Sequence, residues 1–183
     1  MSTSIVILIV VVVVLLILGA AWLIARRQRE KTLRQRFGPE YTSAVRHYGS
    51  EARAQDALAA RTRRMEKIRI TPLTRDEYDR FLGRWENVQR GFVDDPTGSI
   101  QQADTLVNEV MSVRGYPMTD FEHRAEDISV DHPHVVQNYR AAHSIAEAGD
   151  ASTEDLRQAL VHYRALFDDL LEGHLTHEGS RRI

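Results

Sequence analysis

The sequence predicts an all-α protein made of a single transmembrane helix, a helical stalk and a small helical bundle. Three observations predict it. The run from Ile5 to Ala25 is uncharged and holds only Gly19 outside the apolar class. The chain after Pro72 repeats capped amphipathic segments at the helical period, and nothing alternates as a strand would or carries an Asn-Gly or Asp-Gly hairpin turn. The whole-chain figures of 183 residues, 43% apolar, 27% charged and net charge -2 average over these unlike parts. With no cysteine and one apolar run, they exclude a disulfide-stapled scaffold, a thiolate metal site and a multi-span transporter.

At about 1.5 Å per residue, a helix over 5–25 covers the roughly 30 Å hydrocarbon core of a bilayer. The β-branched stretch Val10 to Val14 is a poor helix in water, but in lipid the backbone must bond to itself and helix is the single-pass solution. Trp22 falls near the inner interface. A cleaved signal peptide is the competing reading, because Gly19-Ala20-Ala21 offers small residues. Against it, no Lys or Arg precedes the run, the run exceeds a signal core, and arginines follow at once. Ala21 and Ala25 form a small-xxx-small pair, a hint of weak self-association.

Arg26, Arg27, Arg29, Lys31, Arg34 and Arg36 follow the span, so the positive-inside rule puts the N-terminus outside and the C-terminal body in the cytoplasm. These six are the expected lipid-headgroup contacts, since juxtamembrane basic residues gain about 1 kcal/mol each near an anionic leaflet. Residues 26–70 carry 13 basic and 5 acidic side chains, a balance of +8, whereas 71–183 carry 11 and 21, a balance of -10. A basic stalk thus leads to an acidic body.

The stalk reads as helix broken at Gly38-Pro39 and Gly49-Ser50. From Glu51 to Ile68 a thin apolar seam of Ala54, Leu58, Met65 and Ile68 is interrupted by Arg61, which suits a helix along the body or a spacer better than a coiled coil. The bundle is expected over 71–173. Thr74 and Glu77 form a capping box before the stripe Tyr78, Phe81, Leu82, Trp85, Val88 and Phe92. Asp94-Asp95-Pro96 starts the next helix, which Gly115 ends. Thr119 is expected to cap a shorter helix and Asp131 the one after it, before Ser152 or Thr153 caps the last. The tail, 174–183, is expected to be flexible.

Arg36-Phe37-Gly38-Pro39-Glu40-Tyr41, Phe92-Val93-Asp94-Asp95-Pro96, Arg114-Gly115-Tyr116-Pro117, Ser129-Val130-Asp131-His132-Pro133 and Asn138-Tyr139-Arg140-Ala141-Ala142-His143 carry a resemblance. With these segments the chain resembles an uncharacterised family of bacterial single-pass membrane proteins, over nearly its whole length. The resemblance implies a bacterial plasma-membrane setting. It supplies no catalytic or binding residues.

No Gly-x-Gly-x-x-Gly, Walker loop, Gly-x-Ser-x-Gly or His-Glu-x-x-His occurs, so no catalytic residue and no cofactor is assigned. His174-Leu175-Thr176-His177-Glu178 has zinc-helix residues in the wrong order, and no metal ligand is assigned. The acidic body argues against nucleic acid. Two readings remain. The leading one is a membrane-anchored interaction or scaffold module that meets an unknown protein partner through Tyr116, Asp131, His132 and His134, on the two proline turns. The alternative is a metal- or proton-responsive sensor or enzyme built on the His132 to His143 region, where His143 lies on an apolar stripe within reach of Glu147.

Overall fold

The computed structural model describes residues 3–172, with the side chains of 3–11, 22, 25, 26 and 29 outside that description. The described residues form helices α1 Thr3–Phe37, α2 Pro39–Tyr48, α3 Glu51–Met65, α4 Arg75–Gly91, α5 Pro96–Arg114, α6 Phe121–Asp131, α7 Val136–Glu147 and α8 Thr153–Glu172, and no strand. The all-α reading holds. Among the described residues no helix is long and apolar enough to cross a membrane. The expected span at 5–25 falls partly on side chains outside the description, as do Trp22 and the Ala25 half of the small-residue pair; the tail at 174–183 lies wholly outside the described residues.

α4, α5, α7 and α8 make the bundle, with α8 lying against both α5 and α7. Its centre is aromatic. Trp85 on α4, 1% exposed, stacks on Phe167 of α8 at 4.7 Å between ring centroids, and Tyr139 of α7 meets Tyr163 of α8 edge-on at 6.4 Å. The hydroxyls keep partners inside: Tyr163 donates to Asp104 at 2.9 Å and Tyr139 to Asn108 at 3.2 Å. Burial, with the Asp104 charge nearby, pushes the Tyr163 pKa well above the ordinary phenol range, so that hydroxyl stays protonated.

Local signals set most helix ends. The Thr74–Glu77 capping box closes in both directions, Asp95 accepts from the Gly98 N–H at 2.9 Å, and Gly115 ends α5 at φ 94°. Ser152 caps α8 by exchanging bonds with Asp155. Two starts differ from expectation. α6 is capped by Asp120 rather than Thr119, because the carboxylate takes both the His123 backbone N–H at 3.1 Å and its ring Nδ1 at 2.7 Å. Asp131 does not open α7; it is the last residue of α6. His132 precedes Pro133, whose ring disfavours helical geometry at the residue before it, so the chain leaves the helix there at φ -125°, ψ 52°.

The segment 26–70 is not set apart from the bundle. Leu33 and Phe37 of α1, Tyr41 and Ala44 of α2, and Ala54, Leu58 and Met65 of α3 belong to the same buried cluster as the bundle aromatics. The boundary at Thr71-Pro72 marks a change of charge, not a break in the core. It is itself tied down, with the Thr71 N–H donating to the Arg114 carbonyl at 2.8 Å. α3 stops at Met65 instead of Ile68: the Lys67 and Ile68 N–H groups turn back to the Arg64 and Met65 carbonyls, three residues behind, and the α-helical ladder is not continued.

Candidate functional site

α1 has two halves of opposite character. From Val12 to Leu18 and again at Leu23 and Ile24, large apolar side chains are 46% to 67% exposed, while Leu33 and Phe37 are 8% and 0% exposed in the core. Among the basic residues between, Arg27, Lys31 and Arg36 are exposed. Arg34, also exposed, pairs with Glu30 on its own helix at 3.2 Å and reaches the body through Glu51 at 3.1 Å, with its guanidinium 5.0 Å from the centre of the Tyr41 ring. Of the six expected headgroup contacts, Arg26 and Arg29 have side chains outside the description.

Gly38, at φ +46°, takes a left-handed turn that other residues rarely adopt, and Pro39 then starts α2. That corner aims Glu40 inward. Its side chain is 2% exposed, and it accepts from Arg61 at 2.8 Å, from Arg140 at 2.7 and 3.1 Å and from Gln137 at 2.6 Å. Arg61 bonds Glu126 at 2.9 Å with its other nitrogen, and Arg64 extends the network to Asp127. Burial works against the Arg61 charge, but the carboxylates of Glu126 and Glu40 more than offset it and hold its pKa above that of a free arginine. The network lines a cleft of about 450 Å³ that also includes Ser43 and His47.

Chemically, this cleft is a clamp. Four donor contacts converge on the Glu40 carboxyl, and Arg61 and Arg140 are occupied by it. Its effect is to join α2 and α3, which follow the exposed helix directly, to α6 and α7. Sequence reasoning missed it, although a signal was present. Ala54, Leu58, Arg61 and Met65 share one helical face, and all four are buried. The residue that interrupts the seam is therefore a buried cation, which requires a carboxylate partner.

The expected partner surface is placed differently. Tyr116 is 4% and His132 9% exposed, so neither offers a contact face; Asp131 and His134 remain exposed. The proline turns are packed inward because their polar rings find internal partners. His132 Nε2 lies 3.0 Å from the Tyr116 hydroxyl, that hydroxyl donates to Asp131 at 3.2 Å, and His132 Nδ1 faces Asp169 on α8. The other histidines go elsewhere. His134 lies near Gly38, and the His143 ring stacks on Phe121 at 3.6 Å. Among the described residues no group of three or more His, Asp or Glu side chains is arranged to hold a metal ion.

No protein-family model matches this chain, nor does any curated protein or solved structure.

Proposed function

We propose that this protein is a single-pass, membrane-anchored helical module, held at a bacterial plasma membrane with its N-terminus outside, whose cytoplasmic body serves as an interaction or scaffold surface for a protein partner. The observation that carries the reading is the exposed apolar stretch of α1 at Val12 to Leu18, Leu23 and Ile24, continuous with an end of the helix that is built into the core. A row of large apolar side chains left exposed along a helix is costly in water and favourable in lipid. The uncharged run from Ile5 to Ala25 supplies the length, and the arginines after it supply the orientation. A rigid joint suits a scaffold. Burial of Leu33 and Phe37 and the clamp on Glu40 tie the end of α1 into the body, which supports a body joined to its anchor without a loose linker.

Single cysteines at Ser2 and at Ser144, which is exposed on α7, test the topology. In intact cells a membrane-impermeant thiol reagent should label the Ser2 position alone, and the Ser144 position only after the cytoplasm is opened. The protein should also stay with the membrane on alkaline extraction. Labelling of position 144 in intact cells, or release by alkali, would refute the proposal.

A further inference from the structure

The corner where α2 turns into α3 lies beside the stalk of α1. Among the described side chains of α1, Leu33 is the first to be buried, and Arg34 next to it reaches Glu51 at 3.1 Å. Glu51 is the first residue of α3, so the Gly49-Ser50 corner stands within an arginine's reach of residue 34 and not out beyond Phe37, where α1 ends. Arg27, Lys31 and Arg34 are exposed and fall at i, i+4 and i+7, on the one face of α1 from which Arg34 meets the corner. Two more exposed arginines flank the corner itself, Arg46 in the last turn of α2 and Arg53 in the first turn of α3. Against these five stand Glu30 and Glu51, both paired with Arg34, and Asp56 one turn farther along α3.

Arg53 is the informative one. In the first turn of a helix the dipole favours a carboxylate and disfavours a cation, so local helix chemistry does not call for an arginine there. Its effect is to make the corner positive. The rest of the body has the opposite sign, since residues 71–183 carry a balance of -10. An anionic surface therefore attracts the corner and repels the remainder.

The distances suit such a surface. Ala25 ends the uncharged run and Arg34 follows nine residues later, about 14 Å away at about 1.5 Å per residue. The headgroup layer outside the hydrocarbon is about 5 to 8 Å thick, which leaves about 6 to 9 Å between the headgroups and the level of Arg34. That gap is close to one Debye length, about 8 Å at physiological salt. A membrane-spanning helix tilts by about 20° on average, so a lean toward the corner narrows the gap further.

We propose that the α2–α3 corner docks on the anionic headgroups of the inner leaflet, with Arg46 and Arg53 on the body and Arg27 and Lys31 on α1 forming one cradle for phosphodiester groups. The inference rests on the membrane-anchored reading and adds to it which side of the body lies against the lipid. Arginine suits the role because its forked donors match phosphate oxygens.

The chain has no cysteine, so a single one at Ala52, exposed in the first turn of α3, carries a fluorescent probe at the corner. The full chain is placed in nanodiscs of phosphatidylcholine alone, or of phosphatidylcholine and phosphatidylglycerol in equal parts. Acrylamide, an uncharged quencher dissolved in water, then reads the shielded fraction of the probe. Shielding should appear with phosphatidylglycerol and fade as salt is raised. At about fivefold per basic side chain near an anionic leaflet, Arg46→Gln with Arg53→Gln should lower the ratio of shielded to open probe about twenty-five-fold. Both side chains are exposed, so the double variant should keep its fold, which an unchanged circular dichroism spectrum verifies. Equal quenching in the two lipids overturns the docking and points to an acidic protein segment as the occupant. Shielding that survives in the double variant also overturns it, by assigning the contact to α1 alone. A chain that does not stay in the discs overturns the anchor reading itself and the docking with it, so the two failures are told apart.

Discussion

Replacing Glu40 by leucine removes the centre of the clamp, and the structure sets the size of the effect. Arg61 has 6% of its side chain exposed and would keep Glu126 at 2.9 Å and the Ser129 hydroxyl at 3.4 Å, so its charge would be left partly unpaired in the interior. Arg140 is 26% exposed and can turn to water, so it adds little. Removing one partner of a buried ion pair costs about 3 to 5 kcal/mol. The remaining Glu126 places Glu40→Leu near the lower end, at about 3 kcal/mol. If the penalty is the stranded guanidinium, removing it as well should restore stability: Glu40→Leu combined with Arg61→Met should come back to within about 1 to 2 kcal/mol of the parent, as apolar replacements of buried pairs do. Urea unfolding of the full chain in detergent, followed by far-ultraviolet circular dichroism, measures all four corners of the cycle. A double variant less stable than the sum of its singles would refute the reasoning, and so would a Glu40→Leu cost below about 1 kcal/mol.

Trp85→Ala should cost about 3 to 5 kcal/mol by the same assay, because the ring is fully buried against Phe167 and leaves a cavity, and a negligible change would mean the aromatic stripe does not hold the bundle together. The bonds that Thr74 donates through its backbone N–H and its hydroxyl hold the Glu77 carboxyl below the usual glutamate range. Because the folded value is the lower one, that stabilisation is fully present above the ordinary glutamate range and is lost as the pH falls through Glu77's own value. Thr74→Ala should cost about 1 kcal/mol and move the Glu77 titration upward in carbon-13 NMR; an unmoved midpoint would deny the capping box its role. Gly115→Ala forces a side chain into φ +94° and sets its Cβ 2.8 Å from the Arg69 carbonyl oxygen. It should destabilise the fold by at least about 1 kcal/mol, and an unchanged melting temperature would show that the α5 end and residues 66–74, between α3 and α4, are free to move apart.

What the sequence by itself determined was set by interactions a few residues long. Thr74 with Glu77, Asp95 with Pro96, and Gly115 each satisfy or terminate a helix end within one turn, so the residues alone locate it, while the cap of α8 was narrowed to Ser152 or Thr153 and the structure shows Ser152. The stripes were legible for the same reason: the helical period says which face is apolar, and Phe81, Trp85, Val107, Tyr139 and Phe167 are all buried. Where two local candidates competed, chemistry decided between them, as when the Asp120 carboxylate displaced the Thr119 hydroxyl. Only the tertiary structure decided what each face meets. Glu40 finds Arg61 across 21 residues and Arg140 across 100, and His132 finds Asp169 across 37. Burial of a charge demands a partner, yet that demand does not specify which of many carboxylates comes near, because chain length between them adds little to the closure cost. The same holds for the proline turns. Their residue types suit an exposed loop or an internal network equally well, and the packing of α8 against α5 and α7 brought Asp169 to His132 in the α6–α7 connection, with both rings turned inward.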